Sequence, residues 1–204
     1  ISAQTSLIAY YSFDGDANDY SGNNYHGVVH DNETYIDGID GDALQFDGIN
    51  DWVELTNFSV PETFAISMWV NTTSSTKSQA IVAKNRILDT YQPQAENVFL
   101  VGSWGPQTID VNIDGEQQGF TSTETGWHHI CINVSKTNTS NSLVSMYYDN
   151  VFLSEKEYTT SLSDLGTNPW VLGMELDNLG NLENDQSDFF QGAMDEVRFY
   201  GGAL

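Results

Sequence analysis

Between Asp14 and Asn24 the chain sets Asp14, Asp16, Asn18, Asp19, Ser21, Asn23 and Asn24 within eleven residues, with no Lys or Arg among them. Every one of these side chains offers oxygen. Hard divalent cations take about six to eight oxygens from carboxylates, amides and main-chain carbonyls, and a Gly-containing loop lets the carbonyls turn inward. Calcium is the cofactor to expect there, and the plain alternative is a solvated, turn-rich loop. A second oxygen-rich run, Asp110-Val111-Asn112-Ile113-Asp114-Gly115, fits the first half of an EF-hand loop but has Thr121 where the bidentate Glu is needed. Val111 and Ile113 alternate with polar residues, so a strand ending in an Asp114-Gly115 hairpin turn is the better reading. The acidic stretch holding Asp177, Glu183, Asp185 and Asp188 reads as a solvated loop.

Catalytic arrangements are incomplete. Glu175-Leu176-Asp177-Asn178-Leu179 begins a Glu-x-Asp-x-Glu strand, which would set three carboxylates on one face for glycoside cleavage, but Leu179 replaces the acid/base. Asp195 and Glu196 are consecutive and point to opposite faces of a strand, so they do not pair as general acid and base. Cys131 lies in the alternating run Trp127–Val134 and is expected to be a small buried hydrophobe rather than a nucleophile. His128 and His129 cannot share a face. His26 and His30 are four apart outside any helical pattern, so the metal geometry of that spacing does not apply. A polysaccharide lyase needs a cationic cleft for uronates, and six scattered Lys and Arg do not supply one. The chain is expected not to be an enzyme.

The elements that position these residues are strands. Apolar residues recur with period two in short runs such as Phe64–Val70, Ile109–Ile113, Trp127–Val134 and Ala193–Tyr200, and no dozen residues carry a helical stripe. Leu143–Leu153 reads as a hairpin turning at Asp149-Asn150. At least ten strands without helical crossovers predict an all-β fold, a two-sheet antiparallel sandwich in one domain spanning 1–204. Trp52, Trp69, Trp127 and Trp170 are expected in its core.

Composition sets the limits on partners. Six Lys and Arg against twenty-nine Asp and Glu give a formal charge of −23 in 204 residues, which excludes docking on nucleic-acid phosphates or anionic lipid. The single Cys131 rules out an internal disulfide framework and multi-cysteine zinc sites. No stretch approaches the roughly 20 apolar residues of a membrane span, and the start lacks the basic and apolar regions of a signal peptide. Because the chain begins at Ile1 rather than Met, it reads as an excised or processed piece of something larger.

Several motifs, in order along the chain, carry a family likeness. Tyr11-Ser12-Phe13-Asp14-Gly15, Asp19–Asn23, Gly41–Val53, Phe64–Val70, Gly126-Trp127-His128-His129 and Phe190–Tyr200 together resemble the laminin-G-like, concanavalin A-like jelly-roll domains. The resemblance implies two curved antiparallel sheets, in a module of a secreted or cell-surface protein. It also implies a structural calcium held between the first acidic loop and an acidic residue of the last strand. Asp195 matches that position, so Asp14, Asp19, Ser21, Asn24 and Asp195 are the expected calcium ligands. Sugar recognition uses aromatic faces against C–H groups, with amides and carboxylates taking hydroxyls. Asn85, Arg86, Tyr91, Asn97, Trp104, Asn112 and Tyr147 lie on or beside the middle strands, which form the concave sheet in the resembled domains. The expected function is a non-catalytic, calcium-binding, carbohydrate-recognising extracellular module. Two alternatives stand beside it, a protein-binding or adhesive module and a glycosidase or polysaccharide lyase on the same fold.

Overall fold

A computed structural model of the chain describes residues 5–73, 77–87, 95–104, 108–121, 125–160, 162, 165, 168–176 and 186–204. In chain order its strands begin with β1 (Ser6–Tyr11), β2 (Gly27–His30), β3 (Thr34–Asp37), β4 (Asp42–Asp47), β5 (Trp52–Leu55) and β6 (Phe64–Thr72). There follow β7 (Gln79–Ile87), β8 (Ala95–Ser103), β9 (Thr108–Ile113), β10 (Glu116–Thr121), β11 (Gly126–Lys136) and β12 (Ser142–Tyr148). The last are β13 (Val151–Tyr158), β14 (Trp170–Leu172), β15 (Glu175–Leu176), β16 (Gln186–Ser187) and β17 (Gln191–Gly201). No helix occurs among the described residues.

Two antiparallel sheets form a sandwich. The first runs β13-β12-β11-β6-β17-β4-β3 with β1 also on β17, and the second runs β10-β9-β8-β7-β14-β5-β2. Alternation decides which side chains enter the space between them. Along β6, Phe64, Ile66, Met68 and Val70 join the main core, as do Ile130, Ile132 and Val134 of β11 and Ile109, Val111 and Ile113 of β9. Fully buried Trp170 is the hub of this core. Phe58, Phe64, Phe99 and Phe199 surround its ring at centroid distances of 5.5 to 6.3 Å, mostly edge to face.

The same alternation sends other large residues outward. Trp69 and Trp127 are half-buried rather than in the core, because each lies next to an inward-facing residue of its strand. Trp69 packs on His129 across β6 and β11, 5.3 Å between rings. Cys131 shares that outer face; it is buried, as expected, and burial pushes its thiol up to about 11.

The second sheet carries a smaller apolar cluster on its outer side, formed by Trp52, Ala80, Ala83, Leu100, Val171, Met174 and Leu176 with Phe189 against them. The β15–β16 hairpin covers it. Backbone bonds from Ala80 to the Asp188 carbonyl, 2.7 Å, and from Gly173 to the Ile81 carbonyl, 2.9 Å, pin the ends of that covering segment to β7.

Candidate functional site

The β9–β10 hairpin builds a polar surface on the outer side of the second sheet. Its turn is Asp114-Gly115, both with positive φ (47° and 81°), the conformation that a two-residue hairpin turn needs. Asn112 caps the turn, its Oδ1 accepting the Gly115 N–H at 2.9 Å. Two residues earlier on the same face, Asp110 stands opposite Gly102 of β8 and Gly119 of β10. These two glycines leave a floor without side chains. A Cβ on Gly119 would lie 2.7 Å from Asp110 Oδ1, and one on Gly102 would lie 2.7 Å from the Trp104 ring. The carboxylate therefore leans over β10, and the indole, 36% exposed, folds back over β8. Asp110 is itself only 6% exposed, so what this floor presents to a sugar ring is the Trp104 face for stacking, with the half-buried Asn112 amide beside it to take hydroxyls.

The expected binding residues do not all join this surface. Asn85 is only 1% exposed and is part of an internal network. It donates to Asn97 Oδ1 and, at 3.2 Å, to the Leu176 carbonyl, while half-buried Asn97 donates to the Glu175 carboxylate. These amides fasten β15 over β7 and β8 and are not available to a ligand. Tyr147 lies on the other sheet: β12 pairs with β11, and Tyr147 faces outward there against Phe152, 5.5 Å between rings. Tyr91 and the side chain of Arg86 lie outside the described residues. Gly102 and Gly119 escaped the sequence reading, and Asp110 entered it only through the incomplete EF-hand run, because only strand register brings the three side by side.

The acidic residues of the expected metal site divide into two groups. Asp19 is a latch in its own right, with Oδ1 accepting the N–H groups of Tyr10 and Ser21 and Oδ2 those of Tyr25 and the Ser21 hydroxyl, at 2.8 to 2.9 Å. Burial works to raise its carboxyl, and these hydrogen bonds outweigh that and hold it below the ordinary range. Asn24 is exposed, at a positive φ of 62°.

Asp14 and Asp195 meet elsewhere, on the loop between β3 and β4. β17 pairs with β4 through Gln191–Met194 and with β1 through Val197–Gly201, and at the change of neighbour it bulges, with Glu196 at φ 55°. Asp195 sits in that seam with 0% exposure. Its Oδ2 accepts the N–H groups of Ile39 (2.7 Å) and Asp40 (3.2 Å), and Asp14 Oδ1 accepts that of Asp42 at 2.8 Å. Oδ1 of Asp195 is buried without a hydrogen-bond partner. Burial first, and the adjacent Glu196 charge after it, push the Asp195 carboxyl up. A cation beside Asp195 Oδ1 would answer that unmet charge, so these residues fit calcium. Among the described residues no three Asp, Glu, His or Cys side chains gather as a metal-binding group. The remaining oxygens would therefore be main-chain carbonyls, which calcium accepts readily.

Comparison with known proteins agrees on the architecture. No curated protein matches the sequence. Domain 4 of AbnA, a GH43 extracellular arabinanase from Geobacillus stearothermophilus solved in complex with arabinotriose, superposes with a TM-score of 0.69 at 22% identity, over 99% of this chain and 95% of that one. A mutant Trypanosoma rangeli sialidase displaying trans-sialidase activity gives 0.68 at 12% identity, over 98% of this chain and 31% of that one. The binding domain of Paraclostridial Mosquitocidal Protein 1 gives 0.62 at 18%, over 98% and 49%. These identities establish a shared fold. The laminin-G-type family model described as "Concanavalin A-like lectin/glucanases superfamily" matches residues 47–204, and the chain belongs to that family.

Proposed function

We propose that the chain is a non-catalytic carbohydrate-binding module of an extracellular protein, stabilised by calcium, with its glycan site on the outer side of β8, β9 and β10. The observation that carries this reading is the exposed Trp104 ring laid over Gly102 beside Asp110 and Asn112. The likeness to an arabinanase domain solved with arabinotriose supports it. Glu175, first carboxylate of the interrupted Glu-x-Asp-x-Glu run, is buried and bound by Asn97, which supports the non-catalytic part. Calcium would be held by Asp14, Asp195 and carbonyls of residues 38–42. There it would supply charge that locks the β3–β4 loop to the closing strand.

Calorimetric titration with arabinotriose, after a glycan-array screen to find better ligands, tests the reading. Trp104→Ala is expected to weaken glycan binding about tenfold, about 1.4 kcal/mol, without lowering the melting temperature. Unchanged affinity in Trp104→Ala, or no bound glycan on the array, would overturn it. The second reading, a protein-binding or adhesive module, is favoured by one feature: edge strand β13 exposes Val151, Phe152 and Leu153 in succession. It predicts an empty glycan array and a protein partner released by Phe152→Glu.

A further inference from the structure

The outer face of the first sheet carries a cavity of about 400 Å³ across β4, β17 and β6, walled by Ile36, Gln45, Asp47, Asn71, Thr73 and Gln191. Strand register explains its shape. Thr34, Gln45, Ala193, Asn71 and Trp127 stand opposite one another in turn on β3, β4, β17, β6 and β11, and alternation turns all five away from the core. Ala193, in the middle of the row, brings only a methyl group and so makes a floor between longer side chains. The walls are open to solvent, with Gln45, Asp47, Thr73 and Gln191 exposed and Asn71 half-buried. Gln191 is bonded only through its main chain, to Gln79 and Thr73, and the side-chain amides of Gln45 and Asn71 have no partner among the described residues.

An amide both donates and accepts, as a hydroxyl does, so three free amides around a small floor match a ligand rich in neutral hydroxyls. No Lys or Arg lines the cavity, and Asp47 with the charge of −23 over the whole chain works against an anion. The ladder bonds of β4, β17 and β6 run within the sheet, so no main-chain edge is offered there to an extended peptide. A strand spacing of about 4.8 Å sets Gln45 and Trp127 about 14 Å apart, and half-buried Trp127 adds an aromatic ring to the row beyond Asn71. We infer that this face is a second glycan surface, taking a neutral oligosaccharide along Gln45, Asn71 and Trp127, so that one domain holds sugar on both outer sides of its sandwich. The inference rests on the reading of the domain as a glycan binder, but it uses no residue of the β8–β10 surface. Two sites on opposite faces let a single domain bridge two polysaccharide strands.

The test follows the indole N–H resonances of Trp127 and Trp104 by NMR, each assigned from its Phe variant, while the whole chain is titrated with arabinotriose, cellotetraose, mannotetraose or, as a control, triglycine. At least one of the sugars is expected to shift both resonances, with calorimetry counting two sugars per chain, and triglycine to shift neither. Gln45→Ala combined with Asn71→Ala should weaken the Trp127 response about tenfold and leave the Trp104 response and the melting temperature unchanged, since neither amide has a partner to lose. Trp104→Ala should do the reverse. The unaltered chain should also precipitate the polysaccharide of the sugar that binds, and neither variant should. Sugars that shift Trp104 alone would overturn the second surface and leave the proposed function standing, whereas sugars that shift Trp127 alone would keep this face and overturn the placement at β8–β10. A chain in which none of them moves either resonance loses both. A Trp127 response that survives the double substitution, or that triglycine reproduces, would overturn the inference as well.

Discussion

Asp19 accepts four hydrogen bonds, from Tyr10, Ser21 and Tyr25, and its folded pKa lies below the unfolded value of about 3.9. A carboxylate shifted down contributes stability that is present in full above the unfolded value and is lost as pH falls through the folded one. Asp19→Asn should therefore destabilise the fold by about 1 to 3 kcal/mol at pH 7 in urea melts, with the difference from the parent shrinking below about pH 3. Asp195 has the opposite sign. Its folded pKa is raised, so its ionised form opposes folding at neutral pH, and that penalty fades as pH falls through the folded value. In EDTA, Asp195→Asn should leave the melting temperature equal or higher, whereas in calcium the same substitution should lower it, because only the charged parent gains from bound ion. A substitution effect that does not change sign between the two buffers would refute calcium at this seam. The residue types at both positions were legible as oxygen ligands. That Asp19 satisfies itself while Asp195 has an orphan oxygen was not, because it depends on which backbone N–H groups the fold aims at each carboxylate.

Among the elements, β6, β9, β11, the β12–β13 hairpin and β17 were readable from alternation, and the Asp149-Asn150 turn has the positive φ values, 49° and 64°, that its sequence demands. Strands β2, β3, β10, β15 and β16 were not read as strands. They are short or polar, as in Glu116-Gln117-Gln118-Gly119, and pairing rather than side-chain preference makes them strands. Alternation also says which residues of a strand share a face, but not to which sheet the strand belongs, and this is how Tyr147 came to be grouped with Trp104. The outer cluster under β15 is illegible for a related reason: alternation does not say which side of its sheet Leu100 or Val171 faces, and both support a hairpin on the far side. Leu100→Ala should cost about 2 to 5 kcal/mol and raise amide exchange in β15 before it does so in β6, as measured by hydrogen exchange. Equal loosening of β6 and β15 would mean that the cluster is not a separate unit.

For the whole molecule, the formal charge of −23 is the dominant long-range term. Few carboxylates have cationic partners, so self-repulsion works against the compact state and is screened by salt. The melting temperature should rise between low salt and roughly 0.5 M sodium chloride, where the screening length is about 4 Å, and a flat or falling curve would show that local ion pairs outweigh the net charge. Fold class was legible at this scale because the motif order constrains the whole chain at once, whereas the ligand surfaces depend on strand order. The place of β17 has a consequence for synthesis. The strand lies between β6 on one side and β4 and β1 on the other, and it follows all three in sequence. As the chain leaves the ribosome, the first sheet is a four-stranded ribbon, a β3–β4 pair and an unpaired β1, all with bare edges, until residues 191–201 arrive, so the domain has to close in one late, non-local step. During translation those edges are its most aggregation-prone surface, and a chain stalled before Gln191 would be a client for chaperones rather than a smaller folded domain.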